Sequence, residues 1–278
     1  IDFSYLRSTA VPTDIWDALN GVATRKHLFV YDRKNNKMLK FDRANFSAVP
    51  STNGNIGAGT SNYNLVHQQA VTEKGGRIFE ADLDNNRINE ELHSNFSFVK
   101  QYGSLGNGST SFHQPTGIAA DDEDTIWVLD DGQTRLVELS QSSFGIVSIT
   151  KLDYNNIGDG SLALSPKSIY LCYNKTSETN SEQQDVVCEQ RDRGDPSRLI
   201  SRKVLRPDNV LSGSLYSLNG DISLLGKYLF VSFTDETASR HYIQKLLAED
   251  FELVLEQNNA NQSFSIIGDG FAYKPTIK

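Results

Sequence analysis

Three observations predict an all-β chain folded as a β-propeller. A short pattern recurs at residues 28–38 (LFVYDRKNNKM), 78–88 (IFEADLDNNRI) and 126–136 (IWVLDDGQTRL). Each copy has a β-rich run, an Asp at the fifth place, a polar turn, a basic residue at the tenth and an apolar one at the eleventh. That is the signature of a strand, a tight turn and a returning strand. Second, the copies recur about every 50 residues, a period at which supersecondary units stack side by side in an array. Third, a glycine precedes the run at a constant offset in later copies: Gly117 before Ile126, Gly160 before Ile169 and Gly220 before Leu229. Small twisted sheets repeated in this way close into a ring.

The units start near residues 20, 68, 116, 159, 219 and 269. Six blades are therefore expected, with N- and C-terminal segments joined to close the ring and remove its edge strands. The last unit is short, so a reduced sixth blade or a five-bladed ring is the alternative. The segment "RHYIQKLLAEDFELVLEQ" has helical propensity but also fits two strands of the fifth blade. Loops at 51–64, 103–111 and 174–187 are rich in Gly, Ser and Asn and read as surface connections within one domain, residues 1–278. Trp16 and Trp127 are expected to pack between blades.

Composition narrows the function classes. The formal net charge is -8 with 22% charged residues. A scattered acidic surface disfavours nucleic acid and anionic membranes as partners. No apolar run of spanning length occurs. The chain starts at Ile1 without a signal-peptide pattern and reads as a processed mature protein or an excised piece. Cys172 and Cys188 lie in two β-like runs joined by a polar loop. A disulfide across that hairpin is expected; two reduced, half-buried thiols are the alternative. Five Asn-x-Ser/Thr sequons occur, at Asn45, Asn95, Asn107, Asn174 and Asn261. With the disulfide they favour an extracellular, glycosylated protein.

The stretch "QPTGIAAD" followed by "IWVLDDGQTRLVEL" resembles the NHL-type repeat, and the first two units match it in their second half. More broadly, the chain resembles the six-bladed superfamily of SMP-30/gluconolactonase-like, strictosidine-synthase-like and paraoxonase-like proteins.

In a propeller the innermost strand of each blade lines the central channel. The residue before each repeated glycine is then expected at one height: Thr116, Asp159, Asn219 and Asp269, with Gln68 and the Asn20-Gly21 pair as equivalents in the first two blades. Short oxygen-bearing side chains converging on an axis suit a hard cation such as Ca²⁺. The SMP-30 resemblance implies that Asp-Gly and Asn-Gly pairs hold such a metal at the starts of inner strands. Asp159-Gly160, Asn219-Gly220 and Asp269-Gly270 are similar to that arrangement; the family's N-terminal Glu-Gly ligand has no match, and "PTG" replaces its Asn-Gly. The same pairs are also common turn formers. His67 and His113 lie close to this level in sequence and are candidate general bases. Two functions follow: a metal-dependent hydrolase of a lactone or ester, with a small-molecule substrate, or a non-enzymatic binding or adhesion propeller whose loop faces meet a protein or glycan partner.

Overall fold

A computed structural model describes residues 18–32, 37–45, 47–49, 55–56, 62–63, 66–72, 75–106, 108–152, 157–176, 184–206, 215–218, 222–260, 265–267 and 271–273. These residues form five antiparallel blades. Blade one is β1 (Ala18–Ala23), β2 (His27–Asp32), β3 (Lys37–Asp42) and β4 (Ala48–Val49). A short parallel pair follows, β5 (Asn55–Ile56) and β6 (Asn62–Tyr63). Blade two is β7 (Val66–Thr72), β8 (Arg77–Asp82), β9 (Arg87–Leu92) and β10 (Phe98–Tyr102). Blade three is β11 (Pro115–Ala120), β12 (Thr125–Asp130), β13 (Arg135–Ser140) and β14 (Ile146–Lys151), with a one-turn 3-10 helix, Asp131–Gln133, between β12 and β13. Blade four is β15 (Ile157–Leu164), β16 (Ser168–Thr176), β17 (Gln184–Asp192) and β18 (Leu199–Leu205). Blade five is β19 (Tyr216–Leu218) and β20 (Ser223–Leu225), both paired to β21 (Tyr228–Asp235), then β22 (Arg240–Leu247) and β23 (Leu253–Ala260). The ambiguous segment from Arg240 is thus two strands, not a helix.

The expected sixth blade is corrected to a two-stranded hairpin, β24 (Ser265–Ile267) and β25 (Phe271–Tyr273). β24 packs against β1 and β21, between blades five and one. The repeated glycine marks where an inner strand starts. It does not report whether three further strands follow, which is why the count of starts exceeds the count of blades. The N-terminal segment assigned to ring closure, with Trp16, lies outside the described residues.

Each blade carries the same fastener at its lower turn. The residue after the third strand donates its backbone N–H to the turn between the first and second strands: Arg43 to Lys26, His93 to Gly76, Gln141 to Asp124, Arg193 to Lys167 and Ala248 to Lys227, at 2.8–3.0 Å. We call this end the bottom and the opposite end, where inner strands begin, the top.

Between β2, β8 or β12 and the next strand, the repeated Asp and basic residue stand directly opposite: Asp32 and Lys37, Asp82 and Arg87, Asp130 and Arg135, and later Asp235 and Arg240. In blades two and three they form buried ion pairs, Arg87 Nε to Asp82 and Arg135 Nε to Asp130, each 2.8 Å. The residue before the basic partner closes the turn in the left-handed region: Asn86, Thr134 and Ser239 at φ 55, 52 and 50. The repeat seen in sequence is therefore a structural unit.

The seams between blades are aromatic. A phenylalanine in the turn after the third strand enters the left-handed region at φ 57, 55 and 59 in Phe96, Phe144 and Phe251. Its ring is buried against an aromatic from the second strand of the preceding blade: Phe96 on Phe29, Phe144 on Phe79 and Phe251 on Tyr170, with centroids 5.8, 6.3 and 6.4 Å apart. A lysine of that preceding blade reaches the carbonyls of the same turn: Lys40 to His93 and Ser94, Lys100 to Gln141 and Ser142, Lys203 to Phe251. Burial lowers the Lys40 ammonium from its ordinary pKa. The seam between blades three and four differs. Trp127 is buried there in a cluster with Leu162, Ile169 and Leu171, and Arg193 pairs with Asp121.

The expected disulfide is present. Cys172 and Cys188 are directly opposed on β16 and β17 and fully buried toward blade five. With a sequence separation of 16, the crosslink contributes about 3 kcal/mol through loop-closure entropy.

Two histidines make stability pH-dependent. Burial, reinforced by Lys40 and His93, holds His27 below 6.5, and burial holds His241 below 6.5. The unfolded chain therefore binds these protons first on acidification. Their contribution is fully present above pH 6.5 and is lost as pH falls below it. The melting temperature is expected to fall from pH 7.5 to 5.5, and H27Q is expected to flatten that slope; an unchanged slope would remove His27 from the account.

Candidate functional site at the top of the propeller

The inner strands do not run regularly at their top ends. A β-bulge interrupts the pairing of the first strand with the second in blades one to four. It falls at Leu19, between Ala18 and Asn20; at His67 and Gln68, between Val66 and Gln69; at Thr116, between Pro115 and Gly117; and at Asp159, between Gly158 and Gly160. A bulge leaves one residue outside the ladder and re-aims its side chain. Two of the positions picked out by spacing, Thr116 and Asp159, and the candidate base His67 are thus bulge residues in successive blades. The register makes two corrections. His67, not Gln68, stands where Thr116 stands in blade three. In blade one the bulge residue is Leu19, and Asn20 takes the place of Gly117.

Gly117 and Gly160 have a packing reason. A Cβ at Gly117 would lie 3.0 Å from Leu129 Cβ, 3.1 Å from Leu162 and 3.3 Å from the Gly160 carbonyl. A Cβ at Gly160 would run into Leu129 and approach Thr116 Oγ1 at 3.4 Å. The inner strands of blades three and four meet here too closely for a side chain. Thr116 itself is buried, with its hydroxyl toward Gly160.

His113 is built into the framework. Its N–H donates to Asp130 at 2.8 Å and its carbonyl accepts from Gly132 at 2.8 Å. The ring packs so closely on the 3-10 turn that a Cβ at Gly132 would meet it at 2.6 Å. Gln114 beside it takes φ 58 and donates its N–H to Asn86 of blade two. The segment leading into β11 is thereby tied to two blades. Burial pushes the Asp130 carboxyl above its ordinary pKa, opposed by the His113 N–H and Arg135. Asp130 is a structural anchor that sequence reading alone left as one letter of a repeat.

Asp159 lies on the described backbone of β15; its side chain, that of His67, and all of Asn219 and Asp269 lie outside the description. Among the described residues no three His, Cys, Asp or Glu side chains converge as a metal centre. Asn107 and Asn261 also lie outside the description. Asn45 and Asn95 are exposed in the turns after the third strands. Asn174 is different: it is 3% exposed inside β16, and its Oδ1 accepts the Leu218 N–H at 2.7 Å. The expected glycan there is corrected, because a buried, hydrogen-bonded amide presents no surface for carbohydrate. No helix among the described residues is long and apolar enough to cross a membrane.

No family model and no curated protein matches the chain. Solved structures do. Hydrazine synthase from Kuenenia stuttgartiensis aligns with a TM-score of 0.60 at 13% identity, covering 98% of this chain and 96% of that one. A nidogen/laminin complex aligns at 0.57 and 14%, covering 86% and 79%, and U3-55K at 0.55 and 9%, covering 89% and 85%. At these identities the likeness shows the propeller fold alone.

Proposed function

We propose that the working site is the top of the channel, at the ring of inner-strand bulges, and that it holds a hard cation, calcium by donor chemistry, for hydrolysis of a lactone or ester outside the cell. The recurrence of the bulge at His67, Thr116 and Asp159 is the observation that supports this most, because it sets equivalent backbone positions at the same end of neighbouring blades. Asp159, Asn219 and Asp269 are the residues that would hold the ion. Thr116 fits less well, since its buried hydroxyl is turned to Gly160. A bound divalent ion polarises a carbonyl oxygen and acidifies water. His67 shares the bulge level and is the candidate base; His113 positions the segment leading into β11.

Elemental analysis before and after chelation, with melting curves alongside, tests this. One calcium per chain is expected, lost with D159A, together with a lower melting temperature and loss of turnover on a lactone and aryl-ester panel. Absence of metal, with no melting shift on adding calcium, would sink the hydrolase.

A second reading, an extracellular binding or adhesion module, is favoured by apolar side chains on outer strands. Val147 and Ile149 on β14 are 61% and 40% exposed, and Leu199, Ile200 and Val204 stand open on β18. Exposed apolar edge strands are what a protein partner covers. A metal-free, inactive chain would favour this reading.

A further inference from the structure

The turn after the third strand uses one device in four blades. A short polar side chain in the turn accepts the backbone N–H two residues on. Asn95 accepts from Ser97 at 3.1 Å, Ser143 from Gly145 at 3.2 Å and Asp250 from Glu252 at 2.9 Å; Asn45 accepts from Ser47 at 2.8 Å in the same place of blade one. Asn, Ser and Asp are interchangeable for that job. Only Asn carries an amide nitrogen, and only in blades one and two does a Ser stand two residues on. In Asn45 and Asn95 the turn uses Oδ1 and leaves Nδ2 without a bond to a described residue, on exposed side chains. Asn174 has the same sequon but sits within the seam between blades four and five.

From this we infer that Asn45 and Asn95 are glycan-bearing positions, that Asn174 is not, and that carbohydrate therefore covers the bottom of blades one and two, opposite the bulge ring. The inference rests on the extracellular reading above. In the transfer, Nδ2 attacks the anomeric carbon of a lipid-pyrophosphate-linked oligosaccharide. The N–C bond forms, the C–O bond to pyrophosphate breaks, the pyrophosphate leaves with the electron pair, and Nδ2 releases one proton.

The full chain, given a secretion leader and expressed in a eukaryotic host, is deglycosylated in heavy-oxygen water and peptide-mapped. The expected result is the Asn-to-Asp mass tag at 45 and 95 and unmodified Asn174, with N45Q and N95Q each removing the mass of one oligosaccharide. A bare Asn45 or Asn95, or an occupied Asn174 in the folded secreted protein, overturns the assignment. Because the leader is supplied, this result does not depend on the chain's natural location. The extracellular reading fails separately if chain isolated from its natural source bears no carbohydrate.

Discussion

Replacing Phe96 with alanine is expected to destabilise the protein by about 3–5 kcal/mol, the range for deleting a buried aromatic ring. The ring is fully buried and meets Phe29 edge-on across the seam between blades one and two. Phe96 also holds φ 57, a left-handed conformation that costs a residue with a Cβ about 1 kcal/mol or more. The ring burial offsets that strain. Glycine at the same site loses the ring but relieves the strain. F96G is therefore expected to be more stable than F96A by about 1 kcal/mol, the reverse of the usual order in strands. Denaturant melts of the two variants decide it; F96A equal to or above F96G would mean the turn is not left-handed.

Asp130→Ala is expected to cost about 3–5 kcal/mol, because it leaves the Arg135 guanidinium buried without its carboxylate. It also removes the acceptor for the His113 N–H and loosens the segment leading into β11. The pair as a whole is a different matter. Burial raises the Asp130 pKa. A carboxyl whose folded pKa lies above its unfolded value has its titration-linked stability below the unfolded pKa and loses it as pH rises through the folded one. The desolvation cost of the Asp130 carboxylate is therefore offset only in part by the His113 N–H and Arg135. D130L combined with R135M is expected to recover most of the loss of D130A, since well-packed apolar pairs replace buried ion pairs at little cost. A double variant as unstable as D130A would show that the ion pair itself is the stabilising element. Both melts are run at pH 7.

The largest features of the fold were readable locally. Alternating apolar residues, an Asp–turn–Arg unit and a repeated glycine sit close together in the chain, so each blade leaves its own print. Cys172 and Cys188 were readable as a pair for the same reason: one hairpin brings them opposite each other. The inner-strand positions were readable to within a residue. His67 and Gln68 exchanged roles because a bulge adds one residue that spacing cannot locate.

What escaped depends on contacts between blades. Lys40 finds its carbonyls 53 residues away, and Phe96 finds Phe29 only once two sheets are stacked. Asn174 reads as a loop sequon, but the long strand β16 and the arrival of Leu218 bury it. The number of blades was also tertiary. A unit start repeats six times, five of them with a glycine, but a blade exists only where four strands hydrogen-bond, and beyond Ala260 the described chain holds only the β24–β25 hairpin. By itself the sequence determined the repeating unit, its turns and its crosslink, since all of these are set by neighbouring residues and their periods. Only the tertiary structure decided how many units close the ring, which side chains face a seam and which amides stay in water, since burial is a property of what one blade brings against the next.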